Sequence, residues 1–234
     1  MKLALALSVP VAVLGGASAH AVDAPVLTDT AWTAAPSFTD VAAAYPAKAK
    51  AKGQAGEVLL DCTLTGTGRI GRCSTVSETP GGIGFSQAAR SLIGRFQGPT
   101  ELASGRTVAG VHAQITFKFT PDLLETQTVT RPEWVMMPAP AAFQTAFPDA
   151  ASKAGVLKAR AVMSCQVAEG GTLSDCRSVS EEPAGYGFGA ATLPLAPAFR
   201  LNAWGADGRP VIGGQVRVPI RYDLQQAPQG AGKP

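Results

Sequence analysis

This chain has little of what enzymes use for chemistry. Its 234 residues include two histidines, and His20 lies in the leading apolar segment. His112 falls on the polar side of an alternating stretch, where an exposed side chain is the ordinary outcome. Four cysteines, Cys62, Cys73, Cys165 and Cys176, show no C-x2-C or Cys/His spacing, which argues against zinc. If they pair, no thiol is free to act as a nucleophile. The glycine-rich loops are not followed by Lys-Ser/Thr, so they are not phosphate loops. Charged residues make up 16% of the chain and the net charge is +3, with no Lys/Arg cluster that would form a nucleic-acid face. These absences predict a non-enzymatic protein with no cofactor and no metal.

Long apolar runs are absent too, except at the start. Residues 1–21 carry one lysine, an apolar run from Leu3 to Leu14 and the small-residue stretch Ala17-Ser18-Ala19-His20-Ala21. That order describes a secretory signal peptide cleaved after Ala19 or Ala21. A membrane span needs about 20 apolar residues, and Ser18 and His20 close this run early. If it were retained, the segment would act as an anchor. Export places the four cysteines in an oxidising compartment and favours disulfides.

What the chain does have is a repeat. Trp32-x3-Pro36 recurs as Trp134-x3-Pro138, and Tyr45-Pro46 as Phe147-Pro148. After a one-residue insertion, Cys62 and Cys73 match Cys165 and Cys176. Ser77-Glu78-x-Pro80-x-Gly82-x-Gly84-Phe85 then matches Ser180-Glu181-x-Pro183-x-Gly185-x-Gly187-Phe188. The order and nearly constant offset read as a tandem duplication. The units are expected at 30–120 and 132–223, with a linker at 121–131 and a Gln/Gly/Pro-rich disordered tail at 224–234.

Each unit reads alike. Pro46 and Pro148 suit the first turn of a helix, and Gly53 and Gly155 suit its end. Val58, Leu60, Cys62 and Leu64 alternate with Leu59, Asp61 and Thr63, and Ala161, Met163, Cys165 and Val167 repeat the pattern, so each set is a strand with one buried face. Turns at Gly66-Thr67-Gly68 and Glu169-Gly170-Gly171 bring Cys62 opposite Cys73 and Cys165 opposite Cys176, about 5.5 Å apart. Ile70 and Cys73 fall on opposite faces, which requires a bulge between them. A second helix carries Phe85, Ala88, Ala89, Leu92 and Phe96; its counterpart is shortened or kinked by Pro194 and Pro197. A final alternating strand ends each unit. The predicted class is α+β: two small domains, each a three-stranded antiparallel sheet with two helices on one face. Ser-Glu at each hairpin's end is expected to satisfy backbone in the following loop. Trp32 and Trp134 are expected to fasten each lead-in segment to its core.

Tyr45-Pro46-Ala47-Lys48-Ala49, Asp207-Gly208-Arg209-Pro210-Val211 and the strand Val216 to Tyr222 resemble the TonB C-terminal domain, in order over both units. The resemblance implies a periplasmic protein of Gram-negative bacteria that grips an extended segment of an outer-membrane transporter, linked to TonB-type transport. Two features depart from the family: a cleavable signal replaces the membrane anchor, and the long Pro-rich spacer is missing. The alternative is a structural or assembly protein of the cell envelope acting through self-association of its two domains.

A sequential hairpin leaves the last strand of each unit at a sheet edge, a template for strand addition. The candidate contact residues are therefore Val111, His112, Gln114, Thr116 and Lys118 in the first unit, and Gln215, Arg217 and Arg221 in the second. Pro219 lacks the N–H that Thr116 keeps. The first unit, along Thr107 to Phe119, is expected to take a peptide before the second, and residues 28–121 are expected to fold alone.

Overall fold

The computed structural model describes residues 26–28 and 30–223. The expected signal segment and tail lie outside them. No helix among the described residues is long and apolar enough to cross a membrane.

In chain order the first unit runs β1 (Val26–Leu27), α1 (Phe38–Ala44), α2 (Ala47–Ala51), β2 (Gly56–Leu64), β3 (Ile70–Thr79), α3 (Phe85–Leu92) and β4 (His112–Phe119). The second runs β5 (Trp134–Met136), α4 (Pro140–Thr145), α5 (Asp149–Lys153), β6 (Lys158–Val167), β7 (Leu173–Glu182), α6 (Phe188–Thr192), β8 (Arg200–Leu201) and β9 (Gln215–Asp223). The α+β class and the antiparallel β3-β2-β4 and β7-β6-β9 sheets match expectation, and β1 adds a parallel fourth strand beside β4. Each unit also has one helix more than expected. Helix α1 has a clear local cause: Ser37 caps it, its hydroxyl accepting from the Asp40 N–H while the Asp40 carboxylate accepts from the Ser37 N–H.

Both disulfides lie within their own hairpins, Cys62–Cys73 and Cys165–Cys176. Their Cα atoms are 4.0 Å apart, so these are close, non-hydrogen-bonded pairs and not the wider type expected. The predicted bulge is present: register slips between Cys62 and Leu64 against β3. A second bulge recurs in both hairpins. Leu59 faces Ser77 and Leu60 faces Thr75, leaving Val76 over; Val162 faces Ser180 and Met163 faces Ser178, leaving Val179 over.

Period-two alternation buries Val58, Leu60, Ile115, Phe117 and Phe119 on one side of the first sheet. Helix α3 closes that side with Phe85, Ala88, Ala89 and Leu92. Tyr45, Phe85 and Phe119 form a ring cluster that recurs as Phe147, Phe188 and Tyr222. Burying each such ring contributes about 1.5–3 kcal/mol. Helix α6 stops at Thr192 and gives way to a tighter turn over Leu193–Ala198, as the two prolines require. Trp32 and Trp134 meet Phe96 and Phe199 edge-on, fastening the lead-in segments.

The Ser-Glu motifs act as expected. Glu78 accepts the N–H and hydroxyl of Ser86. Glu181 accepts three backbone N–H groups, of Gly189, Gly185 and Gly187, at 2.6, 2.8 and 3.3 Å. The Gly189 N–H, and then those of Gly185 and Gly187, hold the Glu181 carboxyl below its ordinary value against the opposing pull of burial.

The two units share one core. The stretch 121–131, expected as the linker, packs against that core: Leu123 is buried in a turn over Pro121–Leu124, and Val129 is buried where its N–H donates to the Gln215 carbonyl. Trp204 of the second unit sits between Phe96 and Phe117 of the first, with ring centroids 5.2 and 5.0 Å away. Residues 28–121 alone would leave that apolar site open to water.

Two outcomes follow for equilibrium denaturation. Trp204→Ala should destabilise the whole chain by about 3 kcal/mol, the usual cost of emptying a large aromatic site, within a single transition. A first-unit transition that keeps its midpoint would contradict the shared core. Glu181→Gln should lower stability at neutral pH. Because the folded-state carboxyl is depressed, its contribution is present above the unfolded value of about 4.5 and is lost as pH falls through the folded value. The gap between variant and parent should therefore close in acid, and a pH-independent gap would refute this role for the carboxylate.

Candidate peptide-binding edges

Backbone groups at a sheet edge need partners, and the outer edges of β3, β4, β7 and β9 meet that need differently. On β3 the Arg90 guanidinium donates to the Cys73 carbonyl and the Thr75 hydroxyl, and Val76 bulges outward, 56% exposed. On β7 the start pairs through Thr172 with Arg200, and Val179 bulges at the equivalent place. Bulges twist an edge away from regular pairing.

The edge of β4, expected to be the open one, is occupied by its own chain. Val26 and Leu27 pair in parallel with His112 and Ala113. Further along, the Trp204 indole N–H donates to the Thr116 carbonyl at 3.1 Å, and the Lys118 N–H donates to the Gly208 carbonyl at 2.8 Å. Gly208 must be a glycine here: its φ is +78°, and a Cβ would come within 2.9 to 3.1 Å of Thr116. Arg209 closes the contact on Asp122 at 2.5 Å. Beside it Asn202, 5% exposed, accepts the Trp32 N–H and donates to the Thr30 carbonyl and the Glu133 carboxylate. The hollow left along this edge is about 50 Å³, lined by Thr30, Gln114, Thr116, Asn202 and Trp204 among others, too small for a peptide strand.

The remaining first-unit candidates stand on the same strand or just before it. Val111 is buried just before β4, with its carbonyl accepting from Leu64. His112, expected to be exposed, is half-buried, and its Nδ1 lies 2.8 Å from the Asp61 carboxylate. Lys118 reaches Glu57 at 3.6 Å on the outer face.

The edge of β9 differs. Its first residue is covered: the Gln215 N–H donates to Gln127 and its carbonyl accepts from Val129, repeating the lead-in capping of β4 by β1. From Arg217 to Tyr222 no backbone hydrogen bond from any described residue reaches the outer edge. Since Gln215 points its backbone groups outward, Arg217, Pro219 and Arg221 do too by the alternation of an antiparallel strand. Pro219 therefore sits where its missing N–H costs no bond to β6. Arg217 and Arg221 are exposed. Inspection of the repeat missed Trp204 and Gly208 as edge-covering residues. A signal existed: Trp204 is the one tryptophan without a counterpart, since Glu101 holds its place in the first unit.

The family model for the Gram-negative bacterial TonB protein C-terminal matches residues 41–121, from within α1 to the end of β4. An uncharacterized protein of Caulobacter vibrioides is 31% identical over 92 residues, which cover 36% of this chain and 92% of that relative. With the hairpin, helix and final strand in the family's order, the chain belongs to the TonB C-terminal domain family.

Proposed function

We propose that this is a non-enzymatic, TonB-like protein of the Gram-negative periplasm that binds extended segments of outer-membrane transporters by strand addition along β9. Its two units, 30–120 and 132–223, are copies of one domain put to different uses. The first is sealed by the second, and the second offers the edge. The observation that carries the reading is the outer edge of the run Arg217 to Tyr222, where no backbone hydrogen bond arrives from any described residue, while the edges of β3, β4 and β7 are bulged or occupied. Family membership supports the partner class and the compartment.

One observation favours a second reading, an assembly role through the association of the two units: the units already bury Trp204, Asn202 and Phe117 against each other. The two readings part in a titration of the isotope-labelled full chain with a synthetic extended segment of an outer-membrane transporter. Strand addition predicts amide shifts concentrated on residues 217–222 and small on 115–118. No shift at saturating peptide, or shifts confined to the helices, would leave the assembly reading.

A further inference from the structure

The outer face of the second sheet has an uneven charge. Cross-strand register puts Glu182, Arg160 and Arg221 in one row, Ser180, Val162 and Pro219 in the next, and Arg177, Ser164 and Arg217 in the third. All four arginines are exposed, and none has a carboxylate within ion-pair distance among the described residues. The corresponding rows of the first sheet carry Glu57, Asp61 and Lys118, with Lys118 already on Glu57 and His112 on Asp61. Two equivalent faces thus differ in sign, and the basic one adjoins the unoccupied outer edge of β9. An open hollow of about 690 Å³, lined by Lys158, Arg160, Glu182, Arg221 and Tyr222 among others, lies at the end of that edge.

From this we infer that the segment taken up by β9 is acidic, with carboxylates four residues apart that face Arg217 and Arg221. The inference rests on strand addition at β9 and specifies its ligand. The argument is one of register. Arg217 and Arg221 point their backbone groups outward and their side chains to the basic face, so the same two residues offer ladder bonds and cations. They stand about 13 Å apart along the strand. In an added strand, residues i, i+2 and i+4 share that face. Those at i and i+4 lie beside the two guanidiniums, and the one between lies beside Pro219. Carboxylates there gain charge-assisted hydrogen bonds with the fork geometry that arginine favours. Lysines there would meet a like-charged face.

The test uses the full chain and two labelled peptides of about seven residues, alike except for Glu or Lys at positions i and i+4. Anisotropy should show the Glu peptide binding about tenfold tighter or better, with the preference shrinking as salt is raised. Arg217→Glu combined with Arg221→Glu should reverse the order, with amide dispersion confirming that the variant is folded. Equal binding of both peptides, with shifts on β9, would overturn the acidic ligand and leave strand addition standing. A Glu peptide that binds as tightly when N-methylated along its pairing edge would overturn both, because only side chains would then be engaged. Binding to anionic phospholipid vesicles with neither peptide bound would also overturn both.

Discussion

The arrangement depends on the hydrogen bond from the Lys118 N–H to the Gly208 carbonyl and the close backbone approach around it. A sheet edge left in water invites another strand, and this chain seals one such edge with a turn of its own second unit. The seal needs Gly208 at positive φ against Thr116, and the Trp204 indole on the Thr116 carbonyl. It also needs Phe96 and Phe117 as the floor on which that indole rests. Around these contacts the two units share one apolar core, and the side that remains available belongs to the second unit.

Two similar units are thereby made unlike. Glu101 in the first unit replaces Trp204, so the first unit has no indole with which to seal β9 in return. Thr116 gives way to Pro219, which marks an edge position whose N–H no neighbour in the sheet requires. The outer faces diverge in charge, arginines on the second sheet against Glu57 and Asp61 on the first. These differences are side-chain changes on a shared frame, so binding is a matter of site more than of fold.

Most of the fold was legible because its signals are local. Alternation marked β2, β4, β6 and β9. The spacing of the cysteines across a glycine turn fixed their pairing, and the mismatch of Ile70 with Cys73 gave away the bulge. Glu78 and Glu181 could be read because a carboxylate at a strand end has few other uses before a loop of free N–H groups. Helix α1 is also encoded locally, in the capping pair Ser37 and Asp40. The covered edge was not readable in this way. Thr116 and Trp204 are 88 residues apart in sequence, and no period or turn rule encodes such a contact. Thr116 keeps a donor that Pro219 lacks, but what distinguishes the two edges is their occupant.

Amide hydrogen exchange on the full chain, without ligand, tests the central claim most directly: one final strand is sealed and the other is open. The account predicts that the Lys118 amide exchanges only through large-scale opening, like the core amides, and that the outward-facing Arg217 and Arg221 amides exchange orders of magnitude faster. Rapid exchange at Lys118, or protection at Arg217 and Arg221 equal to it, would contradict the account.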